Sequence, residues 1–196
     1  MSTTPRRARA DTRETMIRTA TGLLAERGVA GTSIDRVLAE SGAPRGSVYH
    51  HFPGGRTELL TEAVGRAERV MLDRIAAVGE AGPAAALDAV VELWRGRLLA
   101  SDFRAGCPVV AATVDEDPDR PELARRAAAA FEAWTDALAE HFRAHGLDGR
   151  RARTLAVQSL CLLEGAVALC RARRDAAPLD AAAEAVRALY RQAEAG

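Results

Sequence analysis

A chain of 196 residues, 48% apolar and 28% charged, has the composition of a soluble globular protein with room for one or two hydrophobic cores. Every basic residue is arginine and the formal net charge is zero, but the balance is uneven: residues 1–60 hold nine arginines against six acids, net +3, and the rest hold eighteen against twenty-one, net −3. A basic head on an acidic body is compatible with attraction to DNA phosphates. No apolar run of about 20 residues marks a membrane span, and Arg6, Arg7 and Arg9 lead into a polar segment rather than the apolar region of a signal peptide. The expected location is therefore the cytoplasm, with no membrane partner. Alanine, leucine, arginine and glutamate predominate over β-branched residues, which favours an all-α fold.

Residues 1–10 read as a flexible basic arm, whose arginines either remain in solvent or add a phosphate or minor-groove contact. A first helix is expected over 11–27: Asp11 and Glu14 form a capping-box-like start, Ile17, Ala20 and Leu24 make its apolar stripe, and Gly28 ends it. Thr32 is placed to cap a second helix, with Asp35 three residues on and Ile34, Val37 and Leu38 as its stripe. Gly42 supplies a left-handed turn, and Pro44 suits the first turn of a third helix. There Val48 and Phe52 share one face, leaving Arg45, Ser47, Tyr49 and His50 to point elsewhere. Two short helices around a glycine turn, the second bearing such side chains, form a helix-turn-helix whose second helix enters a DNA major groove. The DNA-binding domain is accordingly drawn over 11–56.

After Pro53-Gly54-Gly55, a linking helix over 57–78 carries Leu60, Val64, Ala67, Met71, Ile75 and Val78 at helical spacing and opens the second domain, 57–196. Gly79 to Pro83 breaks it. Further helices are expected over 83–101, near 107–114, over 120–145 and 150–174, and from Pro178 onward, with an acidic, proline-bearing stretch at Asp115-Glu116-Asp117-Pro118. The 150–174 helix is apolar on two sides, which predicts burial on both. One side would meet a second subunit, with Leu155, Leu162, Ala166 and Leu169 joined by Val186, Leu189 and Tyr190 from the last helix.

Six of the eight aromatic residues lie at or beyond Trp94. Trp94, Phe103, Phe131 and Trp134 among many alanines suggest a cavity between helices, completed by Met71, Leu98, Cys107, Val110, Val114, Leu163 and Val167. Glu164 is either an exposed or interface-paired acid or a polar acceptor in that pocket. Cys107, Cys161 and Cys170 have no metal-ligand spacing, and Cys161 and Cys170 fall within apolar helical patterns as small hydrophobes. His141 and His145 have the i, i+4 spacing of a ligand pair, but no third ligand accompanies them in sequence; a solvent-facing pair near a helix end is the favoured reading, and no metal or cofactor is expected.

In the helix-turn-helix, Arg45 has the fork geometry for guanine O6 and N7, or for a phosphate. Gly46 lets the backbone approach DNA, Ser47 reaches a base or phosphate oxygen, and Tyr49 can touch a thymine methyl; Pro44 and His50 complete the face. Thr32, Ser33 and Arg56 stand at helix starts, where N–H groups and positive charge favour phosphate; for Thr32 and Ser33 the first role is capping, with any phosphate contact additional.

Gly31-Thr32-Ser33-Ile34, Ser41-Gly42-Ala43-Pro44-Arg45-Gly46-Ser47-Val48-Tyr49-His50-His51-Phe52 and Leu59-Leu60 resemble the TetR family of bacterial transcriptional regulators. Gly106-Cys107-Pro108-Val109-Val110 and Leu163-Glu164-Gly165-Ala166 resemble its LmrA/YxaF-type branch. Arg56 stands where relatives often carry lysine, so the charge is kept. The resemblance implies phosphate contacts from Tyr49 and His51. It also implies a dimeric repressor whose three-helix head binds a palindromic operator and whose C-terminal bundle dimerises and holds a small apolar or aromatic effector. Ligand binding would shift the fourth helix and change the separation of the recognition helices. The expected partners are double-stranded operator DNA, the effector and a second copy of the chain. The competing readings are a helical small-molecule-binding protein or an enzyme using the aromatic cavity; no nucleophilic triad, paired carboxylates or phosphate loop supports the latter.

Overall fold

The computed structural model describes residues 5–78, 81–115 and 121–195, and for residues 5–10 the backbone alone. Among the described residues the chain forms α1 (Pro5–Arg27), α2 (Ile34–Ser41), α3 (Ser47–His51), α4 (Gly55–Ala76), α5 (Gly82–Ala100), α6 (Pro108–Val114), α7 (Glu122–Ala144), α8 (Gly149–Arg173) and α9 (Ala177–Ala195), with no strand. This is the all-α class that the composition implies. α1 begins at Pro5, so the second half of the segment expected as a flexible arm is helix; residues 1–4, and any contact from the side chains of Arg6, Arg7 and Arg9, lie outside the described residues. So do Gly79 and most of the acidic stretch after Asp115.

Two compact units emerge. One contains the chain through Ala67 together with Pro108–Ala128; the other contains Glu68–Cys107 and the chain from Ala129 onward. The sequence reading ends the head at residue 56, whereas Leu59 and Ala63 of α4 are core residues of the first unit. Three short helices are too small for a core of their own, so the fourth is expected to pack under them, as Leu59 and Ala63 do.

In the first unit Met16, Ile17, Ala20 and Leu23 of α1 pack with Val37 and Leu38 of α2, Val48 of α3, and Phe52. Phe52 is fully buried beneath the guanidinium of Arg13, 5.2 Å from the ring centre. Gly42 closes α2 with φ 69°, its N–H donating to Leu38 O, the left-handed turn its position predicts. Of the two residues expected to cap, one serves. Ser33, not Thr32, is the N-cap of α2, its hydroxyl accepting Arg36 N–H at 3.2 Å. Gly28 is left-handed as well, φ 69°, and the Asp115 carboxylate lies 2.6 Å from where a Cβ on it would be. That carboxylate accepts Val29 N–H at 2.9 Å, fastening the end of α6 to the α1–α2 loop.

In the second unit α8 packs on α9 and α5, and α5 on α9. Trp94, Leu98, Trp134, Leu155 and Leu179 are fully buried, and Trp134 Nε1 donates to Glu68 O at 3.2 Å. α8 starts on Asp148, whose carboxylate accepts the N–H groups of Arg150 and Arg151 at 3.0 and 3.1 Å. Contrary to the reading of the apolar runs, α8 is long and apolar enough to cross a membrane, with a mean hydropathy of 1.5 over 18 residues. Burial within the unit covers 39% of that window, so much of its apolar surface faces outward.

Candidate nucleic-acid interface and cavity

α2 and α3 are short because the chain between them must turn. Gly42 stops α2, Pro44 O accepts both the N–H and the hydroxyl of Ser47, at 2.9 and 2.6 Å, and α3 runs for five residues until Phe52 turns into the core. Burying Val48 and Phe52 pushes the opposite side of this segment outward. Ser33, Pro44, Arg45, Gly46, Tyr49 and His50 are exposed, Tyr49 at 68%. His51 is half-buried, with its ring edge-on to Phe52 at 6.4 Å. Arg45 points its guanidinium at the Asp35 carboxylate, 2.9 Å away, in an exposed pair. Sequence reading missed Asp35 as a partner because the pairing crosses a turn and follows no helical spacing.

Two of the expected DNA-contacting side chains are otherwise engaged. Thr32 is buried and donates its hydroxyl to Gly28 O at 2.8 Å. Arg56 is half-buried; its Nε donates to Thr32 O at 2.8 Å and its Nη2 to Val29 O. Position at a helix start suggested phosphate binding, but loop carbonyls with no helical partner reach this guanidinium first. The hydroxyl of Ser47 is likewise engaged with Pro44 O, leaving it lone pairs to offer.

The second unit encloses a cavity of about 270 Å³ between α4, α5, α7, α8 and α9. Met71, Ile75, Leu87, Val90, Leu138, Phe142, Leu160, Leu163 and Val186 give it an apolar wall, and Phe142 and Tyr190 lie with ring centres 6.0 Å apart. Pro83, Ala84, Ala86, Ser159, Arg187, Arg191 and Glu194 complete it. Of the expected pocket residues, Met71 and Leu163 line this cavity. The aromatic quartet does not. Trp94 and Trp134 are buried core, Phe131 stands edge-on to Trp134 at 5.4 Å, and Phe103 is half-buried in a left-handed turn with φ 56°. Leu98, Cys107 and Val167 are buried away from the cavity; Val110 and Val114 belong to the first unit, Val114 75% exposed. Sequence did offer a signal for the polar wall that was passed over: Arg187, Tyr190, Arg191 and Glu194 fall at i, i+3, i+4 and i+7 on the last helix.

Glu164 lies outside the cavity wall. Burial pushes its carboxyl up to about 7, against the pull of a Cys107 hydrogen bond and the Arg97 charge, and its Oε2 is out of solvent with no hydrogen-bond partner. Arg97 itself stacks over Trp94 at 5.4 Å. His141 is not solvent-facing as expected: its ring packs 4.5 Å from that of His145, and burial lowers its pKa. Among the described residues no three histidine, cysteine or acidic side chains gather as a metal site.

The outward face of α8 also differs from the expected one. Leu155 and Ala166, and Val186 on α9, are buried within their own unit. Tyr190 lines the cavity, and Leu162 and Leu189 are half-buried. The exposed stripe is Val157, Cys161, Gly165, Ala168 and Leu169. Cys161, expected inside, is exposed, whereas Cys107 and Cys170 are buried.

Residues 16–63 match the family described as bacterial regulatory proteins, tetR family, and residues 83–185 match the one described as transcriptional regulator LmrA/YxaF-like, C-terminal domain. An uncharacterized HTH-type transcriptional regulator of Mycobacterium tuberculosis is 48% identical over 175 residues, covering 86% of this chain and 88% of that protein. The HTH-type transcriptional regulator LmrA of Bacillus subtilis is 29% identical over 171 residues, covering 86% and 91%. A TetR transcriptional regulator of Chloroflexus aurantiacus of known crystal structure is 27% identical and superposes with a TM-score of 0.70, covering 92% of this chain and 94% of that one.

Proposed function

The chain belongs to the TetR family of bacterial transcriptional regulators, in its LmrA/YxaF-like branch, and we propose that it is a repressor that binds a palindromic operator as a homodimer and releases it on binding a small effector. The family and the relatives are transcriptional regulators, not enzymes. The observation that carries the DNA reading is the exposed set Arg45, Gly46, Tyr49 and His50 that follows the left-handed Gly42 turn. In this reading α3 enters the major groove, Arg45 reads a base edge, and Tyr49, His51 and Ser33 position the helix on phosphates.

The exposed apolar stripe of α8 supports a subunit interface, since an outward face of Val157, Cys161, Gly165, Ala168 and Leu169 gains by being covered. A second copy offers the same stripe, and two-fold pairing of helices matches the two half-sites of a palindrome. The cavity supports an effector site. Met71 and Ile75 in its wall belong to the same helix, α4, as Leu59 and Ala63 in the core of the head. A ligand that fits one setting of α4 better than another shifts the population toward it, by no more than its differential affinity.

Selection of DNA fragments by the purified protein, followed by binding measured across salt concentrations, tests the reading. A selected palindrome with steep salt dependence is expected. Selection that enriches no sequence would remove operator binding from the proposal.

A further inference from the structure

The cavity of the second unit is apolar over most of its wall, and its charged groups all come from α9. Arg187, Tyr190, Arg191 and Glu194 share one face of that helix at the rim. Ser159, on the α8 side, donates its hydroxyl to Leu155 O at 2.7 Å, so it presents lone pairs and no free proton. The rim groups are unequally engaged. Arg187 is ion-paired with Asp88, and the Tyr190 hydroxyl donates to Glu194, so each of these charges already has a counterpart. Arg191 is exposed, and among the described residues its side chain has neither an ion pair nor a hydrogen bond.

We propose that the effector is an amphipathic anion, its apolar body in the cavity and its carboxylate or phenolate on Arg191. This rests on reading the cavity as the effector site. A neutral apolar ligand would fill the wall and leave Arg191 unrewarded. A cationic ligand would meet the unpaired guanidinium of Arg191 and would have to take Glu194 from Tyr190. Arg187 is neutralised by Asp88 and Glu194 is held by Tyr190, so an anion meets one guanidinium without a partner, Arg191, and forms a charge-assisted hydrogen bond with it at the edge of an apolar space. The volume, about 270 Å³, suits a small ligand near the lower end of known pockets.

Calorimetric titration of the full-length protein with decanoate, decan-1-ol and decylammonium holds the tail constant and varies the head alone. Decanoate should bind about tenfold more tightly than decanol, decylammonium should bind most weakly, and Arg191→Gln should bring decanoate down to the level of decanol. Because Arg191 is exposed, that variant should melt as the parent does. Equal binding of decanoate and decanol, tightest binding of decylammonium, or an Arg191→Gln protein that still prefers decanoate would each overturn the anionic class while leaving the cavity as an effector site. Failure of all three to bind would overturn both readings. Decanoate that binds with the expected preference and leaves operator affinity unchanged would uphold the ligand class and overturn operator release.

Discussion

The guanidinium of Arg45 lies 2.9 Å from the carboxylate of Asp35, so the arginine assigned to base reading is held by an acid across the Gly42 turn when no DNA is present. Their side chains are 83% and 76% exposed. An ion pair so open to water is worth about 0–1 kcal/mol. It orients Arg45 without competing strongly with a nucleic acid.

Removing either partner should therefore act in opposite directions. Arg45→Ala is expected to lose about 1–3 kcal/mol at one base position of the operator, relaxing the preference there. Asp35→Asn should tighten binding by a smaller amount and leave base preference intact, since it removes a competitor and a negative charge near phosphate. Fluorescence anisotropy with operators varied base by base distinguishes the two. An Arg45→Ala protein with unchanged affinity and preference would take this side chain out of the groove.

Arg56 should behave as a structural residue. Its guanidinium donates to the carbonyls of Thr32 and Val29; Val29 O also accepts Thr32 N–H, so Arg56→Ala leaves the partly buried Thr32 carbonyl without a donor and takes one of two from Val29. A loss of about 1–3 kcal/mol in the stability of the head is expected, with weaker DNA binding following from it. Denaturant melts set beside binding curves check this. Unchanged stability with evenly weakened binding would return Arg56 to phosphate contact.

The α8 stripe makes a separate prediction. Leu169→Asp and Val157→Asp both add a charge at positions that are exposed in the single chain, 55% and 45% respectively, so the subunit should still fold. At an apolar contact the same charge is desolvated without a partner. Sedimentation should show folded monomers with reduced operator affinity. Dimers that survive both substitutions would place the interface on another face.

Glu164 gives a pH signature. Its folded pKa of about 7 is above its ordinary 4.5, so between these values the folded chain holds a proton that the unfolded chain releases. The contribution is fully present below about 4.5 and is lost as pH rises through about 7, with an upper bound on the order of 3 kcal/mol. Glu164→Gln, which keeps the shape and removes the charge, should flatten this part of the profile and stabilise the protein at pH 8. Urea melts from pH 5 to 8 read both effects. Parallel profiles for the two proteins would mean that Glu164 is solvated.

Local chemistry was legible in the residues themselves. The left-handed turn at Gly42, the burial of Val48 and Phe52 and the stripe of α4 follow from φ preferences and a 3.6-residue period, which depend on neighbours in sequence. The motif from Ser41 to Phe52 also carried the family. What tertiary structure decided was the partner of each side chain. Thr32 and Arg56 look alike as residues at helix starts, but the α1–α2 loop buries one and engages the other through its carbonyls. On α8 apolar residues nearly encircle the helix, so periodicity leaves its rotation open; packing against α5 and α9 turns Leu155 and Ala166 inward and leaves Val157 and Leu169 outside. The aromatic residues fill core while leucine, valine and α9 shape the cavity, because a cavity lies where the helices fail to close on one another, and that depends on their angles and spacing rather than on any one segment.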